Sequence, residues 1–126
     1  QSVHAFGGFK VQGKTSSAAE HIRQQAKALE ACGVFSIVLE CVPAPLAAEI
    51  TKSVHVPTIG IGAGGDCDGQ VLVFQDLLGL NTDFRPKFVR TFASGADVFR
   101  NAINAFDAAV KNHTFPSESE SFGGAR

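Results

Sequence analysis

One carboxylate interrupts an apolar run near the middle of the chain. The run covers residues 34–42 and ends before Pro43, and Glu40 is its one charged residue. A short run of this kind predicts a strand that is buried on both faces. A carboxylate there is costly unless it is paired, and desolvation raises its pKa toward that of a useful general base. We therefore predict that Glu40 is a general base; the alternative is a structural Glu that pairs with a basic group elsewhere.

A second pattern that could do chemistry lies at residues 8–15. This segment satisfies the phosphate-loop pattern G-x-x-x-x-G-K-[ST], in which backbone N–H groups and the lysine (Lys14) hold phosphates and the hydroxyl (Thr15) binds Mg²⁺. Bulky Phe9 and Val11 occupy loop positions that favour small residues, and residues 1–5 are too short and too polar to be the buried strand from which such a loop starts. A nucleotide-binding module that uses residues 8–15 is the alternative function for the chain.

Glycines follow the next apolar run. Residues 60–65 match G-x-G-x-x-G, but the dinucleotide fingerprint requires a helix immediately afterwards, and a strand-like run follows here instead. The glycines predict a close approach of backbone at the carboxyl end of a strand, where α/β folds bind ligands. We predict that Asp66 and Asp68 hold the turn that follows these glycines.

The remaining residues that could bind a metal are scattered along the chain. The 4 histidines show no H-x-x-x-H spacing and have no cysteine at ligand spacing, so we expect no zinc site. The cysteines form no C-x-x-C pair, and we expect them to be reduced in a cytosol-like compartment. They are Cys32, Cys41 and Cys67.

Alternating helices and strands must position these residues. The spacing predicts an amphipathic helix from a cap at residues 15–17 to Gly33, and a second helix from Pro45 to Val54. Strands are predicted over residues 34–42, 58–62 and 70–74. This order favours a parallel α/β sheet or barrel.

The C-terminal third carries phenylalanines at helical spacing. Phe88 and Phe92 precede a stripe that predicts one or two helices covering the sheet, with the stripe serving as core or as a subunit contact. The stripe consists of Phe99, Ile103, Phe106 and Val110. Residues 113–126 are rich in Ser, Glu and Gly, and we expect a loosely held tail.

Composition limits the class of protein. A hydrophobic fraction of 44% provides material for a core, and a net charge of -1 gives no attraction to nucleic acid or to an anionic membrane. No apolar run is long enough to span a bilayer. The chain has 126 residues, against the roughly 250 of a complete (β/α)8 barrel, and it contains no Met, so we expect one partial domain over residues 1–126.

Several blocks of sequence together resemble the ketopantoate hydroxymethyltransferase family. The match covers the whole chain and corresponds to the second half of that family's barrel. The blocks are Phe6-Gly7-Gly8-Phe9-Lys10-Val11-Gln12-Gly13, Val38-Leu39-Glu40-Cys41-Val42-Pro43, Ile59-Gly60-Ile61-Gly62-Ala63-Gly64 and Asp68-Gly69-Gln70-Val71-Leu72-Val73.

The resemblance implies the C-terminal half of a (β/α)8 barrel, about strands six to eight with their helices, followed by C-terminal helices. It implies an enzyme that forms 2-dehydropantoate from 3-methyl-2-oxobutanoate and 5,10-methylenetetrahydrofolate, with Mg²⁺ holding the oxo acid. The Leu-Glu-Cys-Val-Pro block carries the family's general base, which is Glu40 here, while Ile61 and Val73 match apolar positions that line the substrate pocket. The apparent phosphate loop becomes part of a long connection before the sixth strand.

The resemblance also implies what this segment lacks. The family's metal ligands belong to the first half of the barrel, so we expect no metal ligand in this segment and no activity of the 126-residue chain alone. It further implies a homo-oligomer, a decamer in the family, a cytoplasmic location and no partnership with nucleic acid or membrane.

Overall fold

A computed structural model of the chain describes residues 11–123, and the predicted order of elements is largely confirmed. The described chain divides after Leu72 into two compact units. The helices are α1 (Ser16–Ala31), α2 (Ala44–Ser53), α3 (Phe74–Leu77) and α4 (Gly95–Lys111), with a 3-10 helix at Glu118–Glu120. The strands are β1 (Ile37–Glu40), β2 (Thr58–Ile61) and β3 (Gly69–Gln70).

Local sequence signals set the ends of the first two helices. Thr15 is the N-cap of α1, and its Oγ1 accepts a hydrogen bond from the backbone N–H of Ala18 at 3.2 Å. The chain leaves α1 at Gly33, where φ is +81°. Pro45 lies in the first turn of α2, where its missing N–H has no helical partner to lose. Both predicted helices are confirmed.

The strands form one parallel sheet in the order β1-β2-β3. Leu39 pairs with Gly60, which in turn pairs with Gln70, so these three residues share one face of the sheet. Glu40 pairs with Ile61, and this pair lies on the other face. The predicted parallel α/β sheet is confirmed.

The core of the first unit lies between one face of this sheet and the helices α1 and α2. Ile37 and Leu39 are buried, whereas Val38 between them is 60% exposed and Glu40 is exposed as well. The prediction that this strand is buried on both faces is therefore wrong for the chain as it stands, because the helices cover one face only. The buried cluster consists of Ala26, Ile37, Leu39, Val42, Leu46, Ala47, Ile50, Val54 and Ala63.

The third strand is shorter than predicted and begins one residue earlier. It covers Gly69–Gln70, and the predicted residues 71–74 leave the sheet, with Phe74 starting α3. Val71 still donates its backbone N–H to the carbonyl of Gly60 at 3.0 Å. Beyond that point β2 has ended, because Gly62 turns the chain away at a φ of +65°, so no neighbouring strand remains to pair.

The second unit is built on α3 and α4. Backbone hydrogen bonds tie the two ends of their connection together, from Phe92 N–H to the Leu77 carbonyl and from Gly95 N–H to the Leu78 carbonyl, each at 2.8 Å. The predicted helical stripe is confirmed, and none of the residues of α4 is buried in the described chain. The exposed fractions along the stripe are 57% for Phe99, 65% for Ile103, 56% for Phe106 and 43% for Val110.

The predicted tail is described as far as Gly123, and its last three residues lie outside the described chain. The Phe115 ring lies edge-on to Phe106, with their centroids 5.4 Å apart. Ser117 and Glu120 form a capping box around the 3-10 helix, which lowers the pKa of the Glu120 carboxyl. Over residues 11–123, no helix is long and apolar enough to cross a membrane.

Candidate functional site

The carboxyl ends of the parallel strands form the candidate site. β1 ends at Glu40 and β2 ends at Ile61, and the two residues are register partners. The backbone N–H of Cys41 donates to the carbonyl of Ile61 at 2.9 Å, which extends this pairing by one residue. The structure thus brings together two of the three site residues predicted from the sequence.

Glu40 lies on the sheet face opposite the core, and its side chain is exposed. The prediction that burial within the strand desolvates this carboxylate is wrong for this chain, since strand alternation turns Glu40 away from α1 and α2. Within residues 11–123, no basic side chain pairs with Glu40. The alternative of a structural Glu in an ion pair therefore finds no partner in the described chain.

The residue after Glu40 holds the backbone in an uncommon conformation. Cys41 has a φ of +52°, which few residues other than glycine adopt. Both of its backbone groups are bonded: its N–H to Ile61, and its carbonyl to the backbone N–H of Gln12 at 2.9 Å. Burial raises the pKa of the Cys41 thiol, and the neighbouring Glu40 charge raises it further. The direction of the chain at Glu40 is therefore set by backbone contacts on two sides.

Ile61 and Val73 were predicted to line the substrate pocket. Ile61 is half-buried beside Glu40 on the exposed face of the sheet. Val73 lies beyond Leu72, in the second unit, where it precedes α3 and is 50% exposed. The pocket role of both residues stays a prediction.

The glycine-rich turn after β2 makes the close backbone approaches that the sequence predicts. A Cβ added at Gly60 would lie 3.0 Å from both Cys67 Sγ and Gln70 Oε1. Gly64 has a φ of +83°, and a Cβ added there would lie 2.4 Å from the Cβ of Ala44. The turn thus rests on the first residue of α2, at the same edge of the sheet as Glu40.

A side-chain network fixes the other end of β2. Thr58 is fully buried, and its backbone N–H donates to Asp68 Oδ2 at 2.8 Å while its hydroxyl donates to the same oxygen at 3.0 Å. These hydrogen bonds lower the pKa of the Asp68 carboxyl. Thr51 adds a hydroxyl contact to Thr58 at 2.8 Å. Asp68 thus ties the end of the turn segment to the start of β2, while the turn role predicted for Asp66 stays a prediction.

The described residues of the apparent phosphate loop have structural roles. Residues 8–10 lie outside it, but the Thr15 hydroxyl caps α1 and also lies 3.3 Å from Ser17 Oγ. A Cβ added at Gly13 would lie 2.7 Å from Leu46 Cδ2, so this glycine allows the loop to pack on α2. Across residues 11–123, no three His, Cys, Asp or Glu side chains lie close enough to hold a metal ion.

Sequence reasoning missed one residue of this site. The side chain of Gln70 donates from Nε2 to the carbonyl of Gly64 at 2.9 Å, inside the turn that borders Glu40. A glutamine that binds a backbone carbonyl leaves no spacing pattern in the sequence. The one available signal is its position directly after the Asp68-Gly69 pair that ends the turn.

Comparison with known proteins gives a consistent match. Residues 1–118 match the family model described as ketopantoate hydroxymethyltransferase. The chain is 56% identical to the 3-methyl-2-oxobutanoate hydroxymethyltransferase of Syntrophus aciditrophicus over 122 residues, which are 97% of this chain and 45% of that protein. It is 52% identical to the enzyme of the same name from Francisella tularensis and 53% identical to that from Bdellovibrio bacteriovorus, each match covering 97% of this chain and 46% of the relative. The chain therefore spans about half the length of the curated relatives it matches.

Proposed function

We propose that this chain, which belongs to the ketopantoate hydroxymethyltransferase family, supplies the general base of a 3-methyl-2-oxobutanoate hydroxymethyltransferase. The observation that carries the proposal is Glu40, an exposed carboxylate at the carboxyl end of a parallel strand that makes no ion pair within residues 11–123. Active sites of (β/α)8 barrels lie at this end of the strands. The three strands with their helices would form about strands six to eight of such a barrel, whose interior is the face that carries Glu40.

The chemistry needs one base and one carbon electrophile. Glu40 would remove the proton from C3 of 3-methyl-2-oxobutanoate, which leaves an enolate whose C3 forms a bond to the methylene carbon of 5,10-methylenetetrahydrofolate. The bonds from that carbon to the two folate nitrogens break, the nitrogens take up the proton removed from C3 and one proton of a water molecule, and the hydroxide of that water supplies the oxygen of the new hydroxymethyl group. The products are 2-dehydropantoate and tetrahydrofolate. A carboxylate within hydrogen-bond reach of the C3 proton is a suitable acceptor.

Mg²⁺ is the metal that the family resemblance implies. When bound, it would stabilise the negative charge of the enolate oxygen. Residues 11–123 do not assemble the set of oxygen ligands that Mg²⁺ requires. Its ligands would come from the half of the family's barrel that the chain does not match.

Apolar residues beside Glu40 would shape the substrate pocket. Ile61 pairs with Glu40 in the sheet and is half-buried, which suits contact with the branched methyl groups of the oxo acid. Val73 is proposed as a second apolar wall on the strength of its place in the Asp-Gly-Gln-Val-Leu-Val block. Neither residue carries a group that could transfer a proton.

The complete protein is proposed to be a cytoplasmic homo-oligomer, a decamer as in the family. The apolar stripe of α4 supports an oligomer, since all four of its side chains are large, hydrophobic and exposed. Three free cysteines support a reducing compartment. The 126-residue chain by itself is proposed to be inactive, because within residues 11–123 β1 and β3 have no further strand beside them and Val38 of β1 is 60% exposed.

The test is Glu40→Gln in a full-length enzyme that contains this segment. Removing a general base should lower kcat by about a hundredfold to ten-thousandfold. Exchange of the C3 proton of 3-methyl-2-oxobutanoate with D₂O, measured by NMR without the folate, should fall by the same factor. Glu49→Gln is the matched control, because Glu49 is an exposed carboxylate on α2 that pairs with Arg23. Wild-type exchange by the Glu40 variant would remove Glu40 as the base.

A further inference from the structure

Gln70 lies beneath the turn that borders Glu40. Its Nε2 donates to the carbonyl of Gly64 at 2.9 Å, and the amide lies across β2 where Gly60 has no side chain. A Cβ at Gly60 would lie 3.0 Å from Gln70 Oε1 and 3.1 Å from Gln70 Nε2. Because Gly60 has no side chain, the Gln70 amide can lie across β2 and reach the turn.

The turn also contacts the segment that follows Glu40. Gly64 lies against Ala44, with 2.4 Å between the Cβ of Ala44 and the place of a Cβ on Gly64. Ala44 begins α2, only four residues after Glu40. The Cys41 backbone, between Glu40 and Ala44, is bonded to Ile61 on the strand that leads into the same turn. The end of β1 at Glu40, the start of α2 and the turn are thus linked by contacts, and Gln70 holds the turn through its hydrogen bond to Gly64.

Gln70 acts on this set from the face opposite Glu40. It pairs with Gly60, and Gly60 pairs with Leu39, which is buried against the helices. Glu40 and Ile61 occupy the other face. Substrate that reaches Glu40 therefore does not contact the Gln70 amide.

We propose that Gln70 is a positioning residue for the proton transfer by Glu40. Its amide holds the turn of residues 62–65 on Ala44 and so fixes the direction in which the Glu40 carboxylate leaves β1. This proposal rests on the proposed function of Glu40. Because Gln70 does not contact substrate, its loss should lower kcat and leave KM unchanged.

The experiment compares Gln70→Asn with Gln24→Asn in a full-length enzyme that contains this segment. Both substitutions shorten an exposed glutamine by one methylene and remove one amide hydrogen bond, which for Gln24 goes to Glu20 within α1. Gln70→Asn should lower kcat and the D₂O exchange rate at C3 by about three- to tenfold, with KM for 3-methyl-2-oxobutanoate within about twofold of wild type. Gln24→Asn should leave all three at wild-type values. Gln70→Met, which keeps the length over Gly60 without a donor, should repeat the loss if the Asn variant does not fold.

The outcomes separate the two proposals. Wild-type exchange per folded Gln70→Asn or Gln70→Met enzyme, with only the melting temperature lowered, would make Gln70 a structural support and refute the positioning role. An increase in KM with kcat unchanged would also refute it, since it would mean that Gln70 contributes to ground-state binding. Retained exchange in Glu40→Gln refutes the function of Glu40, whatever the Gln70 variants do.

Discussion

Replacing Gly64 with alanine should lower the stability of the first unit more than the same change at Gly33 or Gly65. Gly64 has a φ of +83°, and a Cβ there would lie 2.4 Å from the Cβ of Ala44 and 3.1 Å from its Cα. Ala44 has no flexible side chain to move, so the backbone of the turn or of α2 must shift instead. The left-handed conformation costs an alanine about 1–2 kcal/mol, and overpacking adds about 1–3 kcal/mol. We expect Gly64→Ala to lower the free energy of unfolding by about 2–5 kcal/mol.

Two other glycines provide matched controls. Gly33 has nearly the same conformation, with a φ of +81°, but nothing lies within 4 Å of an added Cβ. Gly33→Ala should therefore lower the free energy of unfolding by about 1–2 kcal/mol, which is the conformational cost alone. Gly65 also has open space around an added Cβ, and its φ lies outside the left-handed region. Gly65→Ala should change the free energy of unfolding by less than about 1 kcal/mol.

Urea denaturation followed by far-UV circular dichroism measures these differences. The chain has 0 Trp and 0 Tyr, so tryptophan or tyrosine fluorescence cannot report its unfolding. All three glycines lie before Leu72, in one compact unit, so their midpoints are compared within the same cooperative structure. A Gly64→Ala midpoint equal to that of Gly33→Ala would refute the reasoning, because it would mean that the contact with Ala44 has no energetic weight.

The pH dependence of stability should follow Asp68. Hydrogen bonds from Thr58 lower the pKa of its carboxyl below the ordinary 3.8, so the stabilisation is present above that pH and is lost as pH falls through the lower folded-state value. The urea midpoint of the Asp68→Asn variant should therefore fall less than that of the wild type as the pH is lowered. If the midpoint of the variant falls as steeply with pH as that of the wild type, Asp68 is not the group responsible. In the core, Ile50→Ala should lower the free energy of unfolding by about 2–5 kcal/mol, because Ile50 is 0% exposed. Ile103→Ala, at a side chain that is 65% exposed, should change it by less than about 0.5 kcal/mol, and equal losses for the two variants would contradict the description of the core.

The parts of the fold that the sequence predicts correctly are those specified by local chemistry. Thr15 caps α1, Gly33 ends it and Pro45 starts α2, and each acts through its own backbone or side chain within a few residues. The burial of β1 could not be predicted in this way, because the apolar character of a residue does not determine which elements of the fold cover it. Val38 has the composition of a core residue and is 60% exposed in this chain.

The length of the third strand shows a second limit. An apolar run such as residues 71–73 looks the same whether or not another strand lies beside it. Its pairing ends because β2 ends, and β2 ends because Gly62 turns the chain. The contact of Gln70 with Gly64 escapes prediction for a related reason: its acceptor is a backbone carbonyl, which every residue possesses.

The position of Glu40 is a property of the backbone around it rather than of its own side chain. Cys41 is bonded through its N–H to Ile61 and through its carbonyl to Gln12, while the Glu40 carboxylate makes no ion pair within residues 11–123. Replacing Glu40 with glutamine therefore removes the charge without breaking any of the contacts that orient this edge of the sheet. A change at Gln70, by contrast, disturbs the contacts that orient the carboxylate and leaves the carboxylate group itself chemically unchanged. The two substitutions thus separate the chemistry of the site from its geometry.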